Sequence, residues 1–183
     1  MKYFVTGVSS GIGRNLTYEL VKKGNAVWGI ARREELLKSL KKELDNNFIY
    51  SRVDLSKESE IKHLFTELSR HKFVPDVVAL NAGVYENDLL EGFSHAKFER
   101  IVKINLLSAM KLVEYFLNVM KPGSQFIAIS SLSAFRGNPN EGVGYSSSKA
   151  ALSNAFESLY LKYKKRDIVF TTVYFGPIDT PMN

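Results

Sequence analysis

The chain has 183 residues, of which 45% are hydrophobic, 12% aromatic and 24% charged. That length is close to that of one ordinary domain, and the composition supplies enough apolar material for a packed core, which excludes disorder as the main state. The absence of cysteine excludes disulfides and thiolate metal sites, and the three histidines have no metal-ligand spacing. No metal site is therefore expected.

The formal net charge of +6 arises from basic residues spread along the chain, and no nucleic-acid-binding motif accompanies them. No apolar run approaches the roughly 18 residues that span a bilayer, and the first residues lack the apolar stretch of a signal peptide. We therefore expect one cytoplasmic domain, residues 1–183, whose partner is a small molecule rather than a membrane or a nucleic acid.

Short apolar runs alternate with longer amphipathic stretches from end to end, which is typical of β-α-β units and a parallel sheet. Apolar residues at helical spacing follow the second and third runs, with Ser56 placed to cap the later helix. Two longer helical patterns cover about Ser94–Met120 and Gly144–Lys165. The predicted strands, rich in Val, Ile, Phe and Tyr, are Lys2–Thr6, Ala26–Ala31, Phe48–Val53, Val77–Leu80, Gln125–Ser130 and Ile168–Tyr174.

A glycine-rich segment, Thr6-Gly7-Val8-Ser9-Ser10-Gly11-Ile12-Gly13, directly follows the first predicted strand and leads into a helix that Gly24 can end. Gly7 allows a sharp turn, Gly11 lets a pyrophosphate approach the backbone, and Gly13 lets the helix pack closely on the sheet. The spacing lacks the Gly-Lys-Ser/Thr ending of a P-loop, which disfavours a nucleoside triphosphatase. The segment predicts a dinucleotide seat, with Ser9, Ser10 and Ile12 beside the glycines.

This segment resembles the T-G-x-x-x-G-I-G motif of the classical short-chain dehydrogenase/reductase (SDR) family. Further motifs match in the family's order over essentially the whole chain: Asp54-Leu55, Asn81-Ala82-Gly83, Asn105, Ser130-Ser131, Tyr145-Ser146-Ser147-Ser148-Lys149 and Gly176-Pro177-Ile178-Asp179-Thr180. The resemblance implies a Rossmann fold, a doubly wound α/β sheet with helices on both faces. It also implies an NAD(P)-dependent oxidoreductase that moves a hydride between the nicotinamide and a carbonyl or secondary alcohol.

The resemblance also implies individual cofactor contacts. Asp54 is expected to accept a hydrogen bond from the adenine amino group and Leu55 to supply a backbone contact, although the sequence alone describes Asp54 nearly as well as a turn or cap residue. Asn81 is expected to shape the backbone beside the cofactor, or simply to form a turn. The remaining expected contacts are Ala82, Gly83, Gly176, Pro177, Ile178 and Thr180.

The end of the second strand indicates which nucleotide binds, because a carboxylate there accepts from the ribose 2′-hydroxyl and an arginine pairs with a 2′-phosphate. Ala31 stands where NAD-preferring relatives usually carry aspartate, and Arg32 follows it. This favours NADP(H) over NAD(H), with Arg32 as the phosphate ligand. Two alternatives stay open: Arg32 and Arg33 are solvated residues, or Glu34 or Glu35 reaches the ribose.

Tyr145 and Lys149 are four residues apart on a predicted helix, so their side chains share one face. A tyrosine ordinarily ionises near pH ~10, and lowering that pKa by about three units requires roughly 4 kcal/mol of preference for the phenolate. A nearby ammonium and a cationic nicotinamide supply it in a partly dry site. We therefore predict Tyr145 as the general acid/base, although isolated Tyr/Lys pairs commonly lie on an ordinary helix surface.

The resemblance implies that Lys149 also forms hydrogen bonds with the nicotinamide ribose. It further implies that Asn105 supports a path of water molecules to Lys149. Ser131 is expected to hold and polarise the substrate oxygen. The family serine commonly lies thirteen residues before the tyrosine, which here is Leu132, so an added loop residue between Pro139 and Tyr145 is assumed. Ser133 remains the alternative.

The family's substrate lid and seventh strand are expected to be missing, since the matches end near Thr180. Without a lid, a nonenzymatic dinucleotide sensor on the same fold is the alternative function. An extended epimerase is disfavoured because its G-x-x-G-x-x-G motif is absent. Many members of the family associate through the two long helices, so the resemblance implies a homodimer.

Overall fold

The computed structural model describes residues 1–44, 46–86, 92–137 and 142–178. In these residues six parallel strands form one sheet in the spatial order β3-β2-β1-β4-β5-β6. The strands are β1 Lys2–Thr6, β2 Ala26–Ala31, β3 Phe48–Arg52, β4 Val77–Leu80, β5 Gln125–Ser131 and β6 Val169–Phe175. The predicted doubly wound sheet is confirmed, and each predicted strand bound lies within one residue of the observed one.

Helices cover both faces of the sheet. They are α1 Gly11–Lys22, α2 Glu34–Glu43, α3 Glu58–Arg70, α4 His95–Val102, α5 Ser108–Leu117 and α6 Val143–Tyr163. Helices α1 and α2 pack on one face, and α3, α5 and α6 pack on the other. None of the helices in the described part of the chain is long and apolar enough to cross a membrane.

Two hydrophobic clusters lie on opposite faces of the sheet because successive side chains of a strand point in opposite directions. In β1, Phe4 belongs to the cluster beneath α3, α5 and α6, whereas Val5 belongs to the cluster beneath α1 and α2. Phe4 packs on Phe116 of α5 with ring centroids 4.7 Å apart. Each fully buried phenylalanine of this kind contributes about 1.5–3 kcal/mol, so this packing fixes the sheet against its helices.

The long helix predicted over Ser94–Met120 is interrupted. A π-helical segment, Lys103–Leu107, separates α4 from α5, and α5 ends at Leu117. Such a segment inserts one extra residue per turn and often occurs at functional sites. It carries Asn105, whose side chain is 1% exposed and therefore points into the molecule.

The prediction that Ser56 caps α3 is wrong. Lys57 occupies the N-cap, and the amide and hydroxyl of Ser56 donate to Oδ1 of Asp54 at 2.9 and 2.7 Å. An aspartate two residues earlier offers a stronger acceptor, which forms a local turn instead of a cap. The expectation for Gly24 is confirmed: it adopts φ +78°, and its amide donates to the Val21 carbonyl.

Candidate active site

The carboxyl ends of the central strands surround an open cleft. The cleft lies where the strand order reverses, between β1 and β4, which is where sheets of this kind bind ligands. Predicted cofactor residues that line it are Gly7, Ser9, Ser10, Gly11, Ile12, Arg32, Asp54, Leu55, Asn81, Ala82 and Gly83. The sequence motifs, distant along the chain, therefore converge on one cleft.

The glycines of the first turn are required by its geometry. Gly7 and Gly11 have φ values of +76° and +56°, a region that other residues rarely adopt. A Cβ added to Gly13 would collide with the Gly7 carbonyl oxygen and with Nδ2 of Asn81. The turn is thus compact, and the start of α1 comes close to the strand ends, as a phosphate seat requires.

Asn81 joins the first turn to the end of β4. Its Nδ2 donates to the carbonyl of Thr6 at 3.0 Å and to that of Gly7 at 3.3 Å. The hydroxyl oxygen of Thr6 in turn accepts from the amides of Asn81 and Ala82 at 2.9 and 2.8 Å. Asn81 therefore shapes the backbone of the glycine turn, a role that a simple turn residue does not have.

Arg33 lies across the head of α1. Its Nε and Nη2 donate to Oγ of Ser9 at 3.3 and 2.9 Å, and Nη2 donates to Oγ of Ser10 at 2.5 Å. Ser10 is the N-cap of α1, yet its side chain accepts no amide of the helix. The first-turn amides of α1 thus stay available to a ligand, and a guanidinium is held beside them.

The sequence predicts Arg32 as the phosphate ligand, and both Arg32 and Arg33 line the cleft. The role of Arg32 remains a prediction, and what the sequence did not indicate is that the hydroxyls of Ser9 and Ser10 hold Arg33. Glu34 is engaged elsewhere, since its carboxylate accepts from the Tyr50 hydroxyl at 3.4 Å and lies 4.0 Å from Lys38. This contact weakens the alternative in which Glu34 reaches the ribose.

Asp54 lines the same cleft as the glycine turn. Partial burial acts to raise the pKa of its carboxyl, but hydrogen bonds from Ser56 and the charges of Arg32 and Lys57 outweigh it and lower that pKa. Its backbone amide donates to Oε2 of Glu60 at 2.7 Å. Asp54 is therefore a fixed, ionised acceptor at the cleft edge.

Lys149 is buried beside the Tyr145 ring. Its side chain is 4% exposed, its Nζ donates to the Ile129 carbonyl at 2.7 Å, and the same nitrogen lies 5.7 Å from the centroid of the Tyr145 ring. Burial lowers the pKa of the Lys149 ammonium from 10.5 to about 8. The four-residue spacing thus places an amine of reduced basicity next to a phenol.

Asn105 ties α6 to the loop after β4. Its Oδ1 accepts from the Val84 amide at 2.7 Å, and its Nδ2 donates to the Val84 carbonyl at 3.0 Å and to Oγ of Ser148 at 3.1 Å. The Ser148 hydroxyl donates to the Tyr145 carbonyl at 2.8 Å. Gly83 and Val84 also line the cleft, so this network joins the Tyr145 region to the predicted cofactor seat.

Ser131 and Ser133 form one hydrogen-bonded pair at the end of β5. Oγ of Ser131 donates to Oγ of Ser133 at 3.1 Å and accepts from the Ser133 amide at the same distance. Both side chains are 8% exposed. The loop assumed to contain an added residue lies partly outside the described residues, so the choice of Ser131 remains a prediction.

The segment after β6 lies beside the turn that follows β5, because a Cβ added to Gly176 would come within 3.5 Å of Leu132. Gly176, Pro177 and Ile178 are not among the described residues that line the nucleotide cleft. Thr180 lies outside the described residues. The contacts expected for these four residues therefore remain predictions.

A parallel sheet in the order 321456 with a glycine turn at its switch point defines a dinucleotide-binding Rossmann fold. A family model described as short chain dehydrogenase matches residues 2–183. The 3-oxoacyl-(acyl-carrier-protein) reductase FabG of Buchnera aphidicola is 31% identical over 179 residues, which cover 97% of this chain and 73% of that protein. The chain therefore belongs to the short-chain dehydrogenase/reductase family of NAD(P)-dependent oxidoreductases.

Solved structures of similar fold carry either nicotinamide cofactor. A 4-hydroxyisoleucine dehydrogenase mutant complexed with NADH and succinate superposes with a TM-score of 0.92 at 23% identity, covering 100% of this chain and 75% of that chain. The Pseudomonas aeruginosa RhlG/NADP complex gives a TM-score of 0.90 at 23% identity, covering 99% of this chain and 74% of that chain. These likenesses establish the fold, and the choice between the two cofactors depends on the residues of this cleft.

Proposed function

We propose that the protein is an NADP(H)-dependent oxidoreductase that interconverts a carbonyl and a secondary alcohol, with Tyr145 as the general acid/base. The observation that carries this proposal is the buried Lys149 amine, 5.7 Å from the centroid of the Tyr145 ring, on a helix whose Ser148 is joined through Asn105 to Val84 of the glycine-turn cleft. Reversible hydride and proton transfer requires a phenol, an amine and a nucleotide-binding cleft in one connected site.

The cleft fits a dinucleotide that carries an extra phosphate. The start of α1 offers uncapped amides for the pyrophosphate, at a turn where a Cβ on Gly13 would collide with the Gly7 carbonyl. Two guanidiniums, those of Arg32 and Arg33, stand beside the end of β2, where Ala31 presents no carboxylate to repel a 2′-phosphate. These donors support NADP(H), with Arg33 as a second phosphate ligand.

When bound, the nicotinamide ring supplies a hydride in its reduced form and accepts one in its oxidised form. In the reducing direction the Tyr145 hydroxyl donates its proton to the substrate oxygen, while Ser131 donates a hydrogen bond to the same oxygen. The Lys149 ammonium lowers the cost of the phenolate that remains. Because its pKa is about 8, this help is present below about pH 8 and is lost above it.

The test is a reduction assay over a panel of aldehydes and ketones with NADPH and with NADH, followed at the cofactor absorbance. We expect turnover with NADPH, and loss of at least about a hundredfold in kcat for Tyr145→Phe. Tyr160→Phe is the matched control, because Tyr160 is an exposed residue of the same helix. Cofactor binding without turnover would instead support the nonenzymatic sensor, and undiminished reduction by Tyr145→Phe would contradict the proposed proton donor.

A further inference from the structure

Val84 and Glu86, the residues on either side of Tyr85, are held by side chains of α4 and of the π-helical segment that follows it. Both backbone groups of Val84 bond to the Asn105 side chain, at 2.7 and 3.0 Å. The Glu86 carboxylate accepts a hydrogen bond from Nε of Arg100 of α4 at 2.8 Å, and its other oxygen forms an ion pair with Nη2 of the same arginine. The neighbours of Tyr85 are therefore anchored on both sides, Val84 through its backbone to the π-helical segment and Glu86 through its carboxylate to α4.

The Tyr85 ring contacts the Tyr145 ring edge to face. The ring centroids are 5.7 Å apart and the ring planes are inclined at 86°, which is the favourable T-shaped arrangement. Tyr85 does not belong to the described residues that line the nucleotide cleft. The contact therefore acts on the phenol of Tyr145 and leaves the cofactor seat untouched.

We infer that Tyr85 is a positioning residue for Tyr145: held between Val84 and Glu86, its ring fixes the orientation of the Tyr145 phenol. A phenol that transfers a proton must keep its oxygen within hydrogen-bonding distance of the substrate oxygen, so an unrestrained ring spends part of its time in unproductive orientations. The inference rests on the proposed function for its kinetic consequence, but the fixed ring orientation can be measured without any turnover.

The first measurement is therefore spectroscopic. The full chain is labelled with 3-fluorotyrosine, and the Tyr145 fluorine signal is assigned among the nine tyrosines by its loss in Tyr145→Phe. In Tyr85→Leu the Tyr145 signal should move, because the ring current of Tyr85 is gone, and should change linewidth as the ring gains freedom. In Tyr85→Phe, which keeps the ring, the signal should stay near its original position. An unmoved Tyr145 signal in Tyr85→Leu would overturn the inference.

The second measurement is kinetic. Tyr85→Leu should lower kcat roughly three- to tenfold, the worth of one aromatic pair, with the NADPH dissociation constant unchanged. Tyr85→Phe should recover most of kcat, and Tyr160→Leu is the exposed control on α6. Equal loss of kcat in Tyr85→Phe and Tyr85→Leu would assign the effect to the Tyr85 hydroxyl and overturn the inference.

A third variant, Arg100→Gln, keeps the result decisive where Tyr85→Leu fails to fold. It removes the charge that holds Glu86 and keeps both tyrosine side chains, so the less firmly held Tyr85 ring should shift the Tyr145 signal in the same direction by a smaller amount. An unshifted signal would overturn the anchoring through Glu86. If the wild-type chain shows no turnover, only the proposed function is contradicted, because the fluorine signals still report whether Tyr85 orients Tyr145.

Discussion

The buried Lys149 amine makes a measurable prediction about stability. Its ammonium is 4% exposed and its pKa falls from 10.5 to about 8 because burial penalises the charge. This difference in pKa corresponds to a free energy of unfolding that is lower by ~3 kcal/mol at neutral pH, where Lys149 is charged in both the folded and the unfolded state. Lys149→Met removes that penalty but also removes the hydrogen bond to the Ile129 carbonyl, which contributes about 1 kcal/mol.

We therefore expect Lys149→Met to raise the free energy of unfolding by about 2 kcal/mol at pH 7 while abolishing turnover. The gain depends on pH with a defined sign. Between pH 8 and 10.5 the unfolded wild type binds more protons than the folded one, so its stability rises with pH. The advantage of the variant should therefore shrink from pH 8 upward by about 1.4 kcal/mol per pH unit, and it should change sign inside that window, near pH ~9.5.

The assay is equilibrium urea unfolding of both proteins, without cofactor, at a series of pH values from 7 to about 10.5, with the difference between them plotted against pH. Groups that titrate identically in both proteins cancel in that difference. Lys42→Met, at an exposed position of α2, is the control and should show a difference within about 0.5 kcal/mol and no slope. A flat difference for Lys149→Met would refute the reasoning that burial depresses the Lys149 pKa.

Three further outcomes follow from the site. Arg33→Ala should weaken NADPH binding roughly tenfold to a hundredfold and NADH binding much less, because it removes charge-assisted bonds to a 2′-phosphate; fluorescence titration would contradict this by showing equal losses for both cofactors. Gly13→Ala should destabilise the fold by about 1–3 kcal/mol in urea, because its Cβ would collide with the Gly7 carbonyl, and an unchanged midpoint would exclude that collision. Ser131→Ala should lower kcat at least roughly tenfold and further than Ser133→Ala, and the reverse order would make Ser133 the substrate-holding serine.

Much of the fold could be predicted because its signals are local. A short apolar run predicts β1, and a glycine with positive φ ends α1 at the predicted place, since both signals depend on a few neighbouring residues. The π-helical segment carrying Asn105 was not predicted because an apolar periodicity looks the same on either side of a one-residue insertion. The predicted Ser56 cap does not form because the Ser56 hydroxyl donates to the nearby carboxylate of Asp54 instead.

Short stretches of sequence contain the glycine turn, the Tyr145–Lys149 spacing and the helical and strand periods. The sequence alone was therefore enough to predict a dinucleotide-binding fold with a parallel sheet. The sequence alone does not indicate which side chains from distant parts of the chain come into contact. Arg33 rests on Ser9 and Ser10 more than twenty residues away, and Tyr85 meets Tyr145 only after α4 and α6 pack together. Such contacts depend on which side chains meet across elements, and burial sets the pKa of Lys149 only once those elements have come together.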